Sequence, residues 1–110
     1  MTTEKIKIQH AEAWIDSMPA QPTAGGTLHV FVELVSNNHG RHFLKKMIPQ
    51  GVNPAILMLE IKISLLDIFI FNPQHLTYTE GLSTAGQYST IELYSNGKRI
   101  ETITEIPIVS

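Results

Sequence analysis

QYSTIELYSNGKRIETITEI, residues 87–106, sets an Asn96-Gly97 pair between two alternating halves, and this stretch decides the fold class. A two-residue type I′ turn needs positive φ at both central positions, and Asn followed by Gly adopts it at the least steric cost. The segment therefore predicts a β-hairpin. With a two-residue loop, Ser95 faces Lys98, Tyr94 faces Arg99, Leu93 faces Ile100, Glu92 faces Glu101, Ile91 faces Thr102, Thr90 faces Ile103 and Tyr88 faces Glu105. Side chains alternate sides along a strand, so Ile91, Leu93 and Ile100 look into a core. Tyr88, Thr90, Glu92, Tyr94, Arg99, Glu101, Ile103 and Glu105 look outward. Tyr94 over Arg99 is a favourable pair, whereas Glu92 opposite Glu101 opposes like charges.

Upstream, the same period recurs. Glu4 to Ile15 alternates through Ile6 and Ile8, then shifts parity at His10 so that Ala11, Ala13 and Ile15 continue the apolar row, which predicts a bulged first strand. PAQPTAGG, 19–26, is a Pro- and Gly-rich connector. Thr27 to Val35 is a strand with Leu28, Val30, Val32 and Leu34 on one face and His29, Phe31, Glu33 and Val35 on the other. Arg41 to Pro54 lacks a sustained period and reads as irregular, with one short strand near Phe43.

Ala55 to Phe71 admits two readings. Asn53-Pro54 matches a helix start, which gives an α+β alternative with a helix at 54–70. Its β-branched content and the alternation of Leu57, Leu59, Ile61, Ile63 and Leu65 favour a strand. Asp67 then interrupts it before a second run, Ile68 to Phe71. Leu76 to Thr79 is a further short strand, and Glu80 to Gly86 a loop. The expected fold is all-β: a single antiparallel β-sandwich of about seven strands, with residues 1–110 forming one domain.

The carboxyl-terminal residues Gly86, Tyr88, Ile91, Leu93, Asn96, Gly97 and Ile100 give a Gly-x-Tyr, strand, tight turn, strand pattern that resembles immunoglobulin-like and fibronectin type III-like sandwiches. The resemblance covers the last quarter of the chain and is structural. The antibody-type Cys, Trp, Cys pattern is missing, and Trp14 lies near the first strand. Such sandwiches host adhesion, chaperone, inhibitor and accessory roles, so the resemblance implies no particular activity.

Composition narrows the functional classes. With 43% hydrophobic residues, 110 residues can bury a continuous core without staples. The count of zero cysteines removes disulfides, thiolate nucleophiles and Cys-based zinc sites, and suits a reducing compartment. The start, MTTEKIKIQHAEAW, has no basic stretch followed by an apolar run, so the expected location is cytoplasmic. A net charge of −2 supplies no electrostatic footprint for nucleic acid or an anionic membrane.

Each candidate chemistry has a plainer counterpart. His29, His39 and His42 can make a trigonal imidazole site for zinc or nickel, although a histidine beside Gly and Arg in HGRH is more often a solvated turn residue. Glu92 and Glu101 can act as an acid–base pair, or splay towards Lys98 and Arg99. Arg41, Lys45 and Lys46, with His39 and His42, form a basic cluster able to receive a phosphate or an acidic partner segment; solvated loop charge is the plainer reading. TAGGT, 23–27, lacks the Gly-Lys-Ser or Gly-Lys-Thr of a phosphate loop, and no serine stands in a nucleophile elbow.

The residues above background are apolar or aromatic ones predicted to face outward. Phe31, Val35, Tyr88 and Tyr94 point to a non-enzymatic module that binds protein, including a second copy of itself, through a sheet face or edge, with no cofactor. The opposing expectation is that the segment from His39 to Pro54 folds across Phe31 and covers it. Two alternatives stand beside the binding module: a small metal- or ligand-binding protein using the three histidines, and an intracellular protease-inhibitor-like sandwich inserting the 19–26 loop.

Overall fold

Strict alternation with an apolar side from Leu28 to Leu34 suits a strand at the centre of a sheet, and in the computed structural model this run lies in the strand Thr27–Ser36. The structure describes residues 5–17, 24–38, 40–64 and 72–109. Its strands are β1 Ile6–Asp16, β2 Thr27–Ser36, β3 Arg41–Lys46, β4 Ile56–Ser64, β5 Gln74–Gly81, β6 Thr90–Ser95, β7 Lys98–Ile103 and β8 Ile108–Val109. They form two four-stranded sheets, ordered β5-β2-β1-β8 and β3-β4-β6-β7. Leu28, Val30, Val32 and Leu34 of the first sheet share one buried cluster with Leu57, Leu59, Ile91 and Leu93 of the second. Each such side chain contributes about 1.5–3 kcal/mol by leaving water.

The fold is all-β, with two packed sheets. Ile56–Ser64 is a strand, not the helix of the α+β alternative, because its alternating apolar residues fill the core from one side while Met58, Glu60 and Lys62 take the other. The break at Asp67 and the run Ile68 to Phe71 lie outside the described residues. The first-strand bulge falls where parity placed it, with the register shifting between Ile8 and His10.

Two expectations about the strands need correcting. The sheets are not purely antiparallel: β4 runs parallel to β6, and β1 parallel to β8. The chain leaves β4 for β5 in the opposite sheet and returns to β6, so β6 arrives beside β4 in the same direction. β8 is held by Ile15 N–H donating to the Pro107 carbonyl and Ser17 N–H to that of Val109, both at 2.8 Å. The short strand expected near Phe43 is present as Arg41–Lys46, six residues long, with His42 and Leu44 pointing inward. Beyond it, the Gln50 side chain imitates a strand: its Oε1 accepts from Met58 N–H at 2.8 Å and its Nε2 donates to the Met58 carbonyl at 2.9 Å.

The second correction concerns the hairpin. Asn96 and Gly97 have φ of 52° and 78°, as a type I′ turn requires. Tyr94 faces Arg99 and Ser95 faces Lys98, but the register then shifts, so Leu93 faces Glu101 and Ile91 faces Ile103. Ile100 is the extra residue of this bulge. The slip carries Ile103, expected outside, into the core at 7% exposure. It also separates Glu92 from Glu101 as directly opposed residues. At the turn, Gly97→Ala should cost about 1 kcal/mol in urea unfolding, because left-handed φ strains a Cβ even where nothing lies within 4 Å of it.

Candidate functional site

β1, β2 and β5 turn one face to the core and the other outward, and the register of that outer face assembles residues distant in sequence. His10, Glu33 and His75 form one cross-strand row, Glu12, Phe31 and Thr77 the next, and Trp14, His29 and Thr79 a third. Trp14 stacks on His29 with ring centroids 5.3 Å apart and planes 11° from parallel. Phe31 lies between two imidazoles, 6.2 Å from His10 and 5.5 Å from His75. Glu33 Oε1 accepts from His75 Nε2 at 2.8 Å, and His10 Nε2 is 3.5 Å from Glu12 Oε2. Aromatic surface flanked by hydrogen-bonding groups is the composition of a binding face.

Phe31 and Val35 share this face, both half-buried. The segment expected to fold across it does not do so in its described part: Arg41–Lys46 belongs to the other sheet, and Gln50 is bonded to β4. Tyr94 lies on the outer side of β6, in the opposite sheet. Its hydroxyl donates to Glu92 Oε1 at 2.7 Å, Arg99 Nη1 donates to Glu92 Oε2 at 3.0 Å, and the bond to Glu92 raises the Tyr94 pKa. Phe31 and Tyr94 therefore occupy different surfaces.

Tyr88 does not face outward as expected. It is 9% exposed, because Ser89 and Thr90 N–H both donate to the Ala55 carbonyl, and two successive bonds to one acceptor break the alternation just before β6. Of the three histidines, His29 is on the outer face of the first sheet, His42 is buried on the inner face of the second, and His39 lies outside the described residues. His29 and His42 do not converge.

Tyr88 belongs to a polar knot that spans the two sheets and that sequence reading missed. Glu80 Oε1 accepts from Tyr78 Oη at 2.6 Å and Lys46 Nζ at 3.2 Å, and Glu80 Oε2 accepts from Tyr88 Oη at 2.6 Å. Lys46 Nζ also donates to Tyr88 Oη at 3.2 Å. Burial alone would push the Glu80 pKa up, but hydrogen bonds from both tyrosines and Lys46, with the lysine charge, hold it below the usual carboxylate range. Burial and then the bond to Glu80 push the Tyr78 and Tyr88 hydroxyls up. Burial works against the Lys46 charge, yet its bonds to Tyr88 and Glu80 leave its pKa raised. With every member engaged by another, the knot has the chemistry of a clamp between sheets.

Comparisons of the chain with protein-family models, characterised proteins and solved structures return no match.

The outer-face set has a retrospective signal. His10, Trp14 and His29 were legible as outward residues of alternating strands, but the neighbourhood of His75 required the β2–β5 register. The knot has none, since its members come from positions 46, 78, 80 and 88.

Proposed function

We propose that this chain is a non-enzymatic protein-interaction module that engages a partner segment through the outer face of β1, β2 and β5. Trp14 and Phe31 serve as anchors, with His29, Val35 and the row His10, Glu33, His75 around them. The observation that carries this reading is the contiguous ladder of aromatic and imidazole rings on that face. Rigid aromatic groups supply contact area at small entropic cost. Three strands over some eight residues present roughly 400 Å², short of the roughly 800 Å² per side of a standard stable interface. That size suits an extended segment of another protein better than a second copy. The immunoglobulin-like likeness is retained as layering, two sheets about one core with a tight carboxyl-terminal hairpin. A chain without cysteine suits a reducing compartment, and the cytoplasm is the location that goes with this proposal.

The test is capture from a native lysate on immobilised wild type and on Phe31→Glu, whose side chain is outside the core. The expected result is a partner retained at least about tenfold better by wild type, the loss that follows from burying a charge at an anchor. Equal recovery on both, or no recovery on either, would overturn the proposal.

A further inference from the structure

The other outer surface of interest is the edge of β3. Along this strand the odd-numbered residues bond to β4: Met47 N–H donates to the Met58 carbonyl at 3.0 Å, continuing the register in which Lys45 faces Glu60. His42 N–H points the other way and donates to Gln74 Oε1 at 2.8 Å, while Gln74 Nε2 donates to the Gly40 carbonyl at 2.9 Å. Backbone groups alternate sides, so the amides of Leu44 and Lys46 also face this open side, beyond the reach of Gln74. A cleft of about 500 Å³ opens at the Arg41–Phe43 end of the seam between β3 and β5, walled by Arg41, Phe43, Gln74, Leu76 and Thr77 among others.

Charge selects the occupant. Arg41 and Lys45 are exposed on either side of Phe43, which is itself 41% exposed. Cations on an edge strand repel a like edge, which argues against a second copy and favours a strand that carries carboxylates. We infer that the β3 edge accepts an extended acidic segment of another protein as an added strand. Main-chain bonds form at Leu44 and Lys46. With a period of two, the side chains beside Arg41, Phe43 and Lys45 are two residues apart. The segment therefore carries two carboxylates four residues apart with an apolar side chain midway. This surface adjoins the ring-bearing face of β1, β2 and β5 at His75 and Thr77, but its main-chain and charged groups lie on β3, and it does not rest on that reading.

The probe is a labelled peptide of about nine residues, long enough to span an edge strand, with glutamates at its third and seventh positions, valine at its fifth and threonine elsewhere. The control carries lysine in place of both glutamates. The acidic peptide should bind wild type about tenfold or more tighter than the basic control does, and weaken several-fold as salt rises from about 0.05 to 0.5 M. Arg41→Glu combined with Lys45→Glu, both at exposed positions, should reverse the preference. The amides of Leu44 and Lys46 should become protected from exchange in the complex. Equal affinity for both peptides, binding of neither, protection that omits Leu44 and Lys46, or self-association through β3 would each overturn the inference.

Discussion

Glu80→Ala should lower stability by about 2–4 kcal/mol, the scale of losing charge-assisted hydrogen bonds from two partly buried tyrosines. Removing the carboxylate strips an acceptor from Tyr78, Tyr88 and Lys46 together. The Glu80 side chain is 17% exposed, whereas that of Lys46 is 40% exposed, so the lysine rehydrates and most of the loss falls on the tyrosines. Urea unfolding at neutral pH measures it. The pH dependence supplies a sign. The folded-state pKa of Glu80 is depressed, so its contribution is present above the unfolded value and is lost as pH falls through the folded one. Those of Tyr78, Tyr88 and Lys46 are raised, so their contributions are present below their unfolded values and are lost as pH rises through the folded ones. Wild type should lose stability below about pH 5 and again above about pH 10. In Glu80→Gln the acid limb should flatten. A variant with an acid limb as steep as wild type would show that the carboxylate is not the group responsible.

Gln74→Leu should cost a comparable amount, about 2–4 kcal/mol, from leaving two buried main-chain groups unanswered. Gln74 is 6% exposed on β5 and bonds both His42 N–H and the Gly40 carbonyl of the other sheet. Leucine keeps the volume but can neither accept nor donate, so the change isolates hydrogen bonding from packing. Exchange of the His42 amide should accelerate in parallel with the fall in urea midpoint. A loss under about 0.5 kcal/mol, within the range of ordinary surface substitutions, would mean that water replaces the amide and that the seam is not sealed by Gln74.

Glu80 and Gln74 also mark the boundary of what was legible from sequence. Parity within one strand is a local property, and it located the bulge between Ile8 and His10, the alternating faces of β2 and the turn at Asn96-Gly97. Parity across an irregularity is not. Ile100 and Ile103 have opposite parity, and that conflict was the one trace in the sequence of the bulge that sends Ile103 inward. Tyr88 turned inward because a paired acceptor at Ala55, more than thirty residues away, captured two adjacent amides. The strand near Phe43 was legible but its bounds, Arg41–Lys46, were blurred by charges at an edge, where alternate residues need not be apolar. For the binding face, outward residues of single strands were readable. Their assembly into cross-strand rows was not, because it depends on β5 pairing with β2.

The central proposal, that a partner covers the outer face of β1, β2 and β5, has a built-in reporter: Trp14 is the chain's one tryptophan and stands on that face. With Trp14 incorporated as 5-fluorotryptophan, its fluorine resonance should shift and lose its sensitivity to solvent isotope when the captured partner is added. A resonance unchanged in position and solvent sensitivity at saturating partner would contradict the proposal.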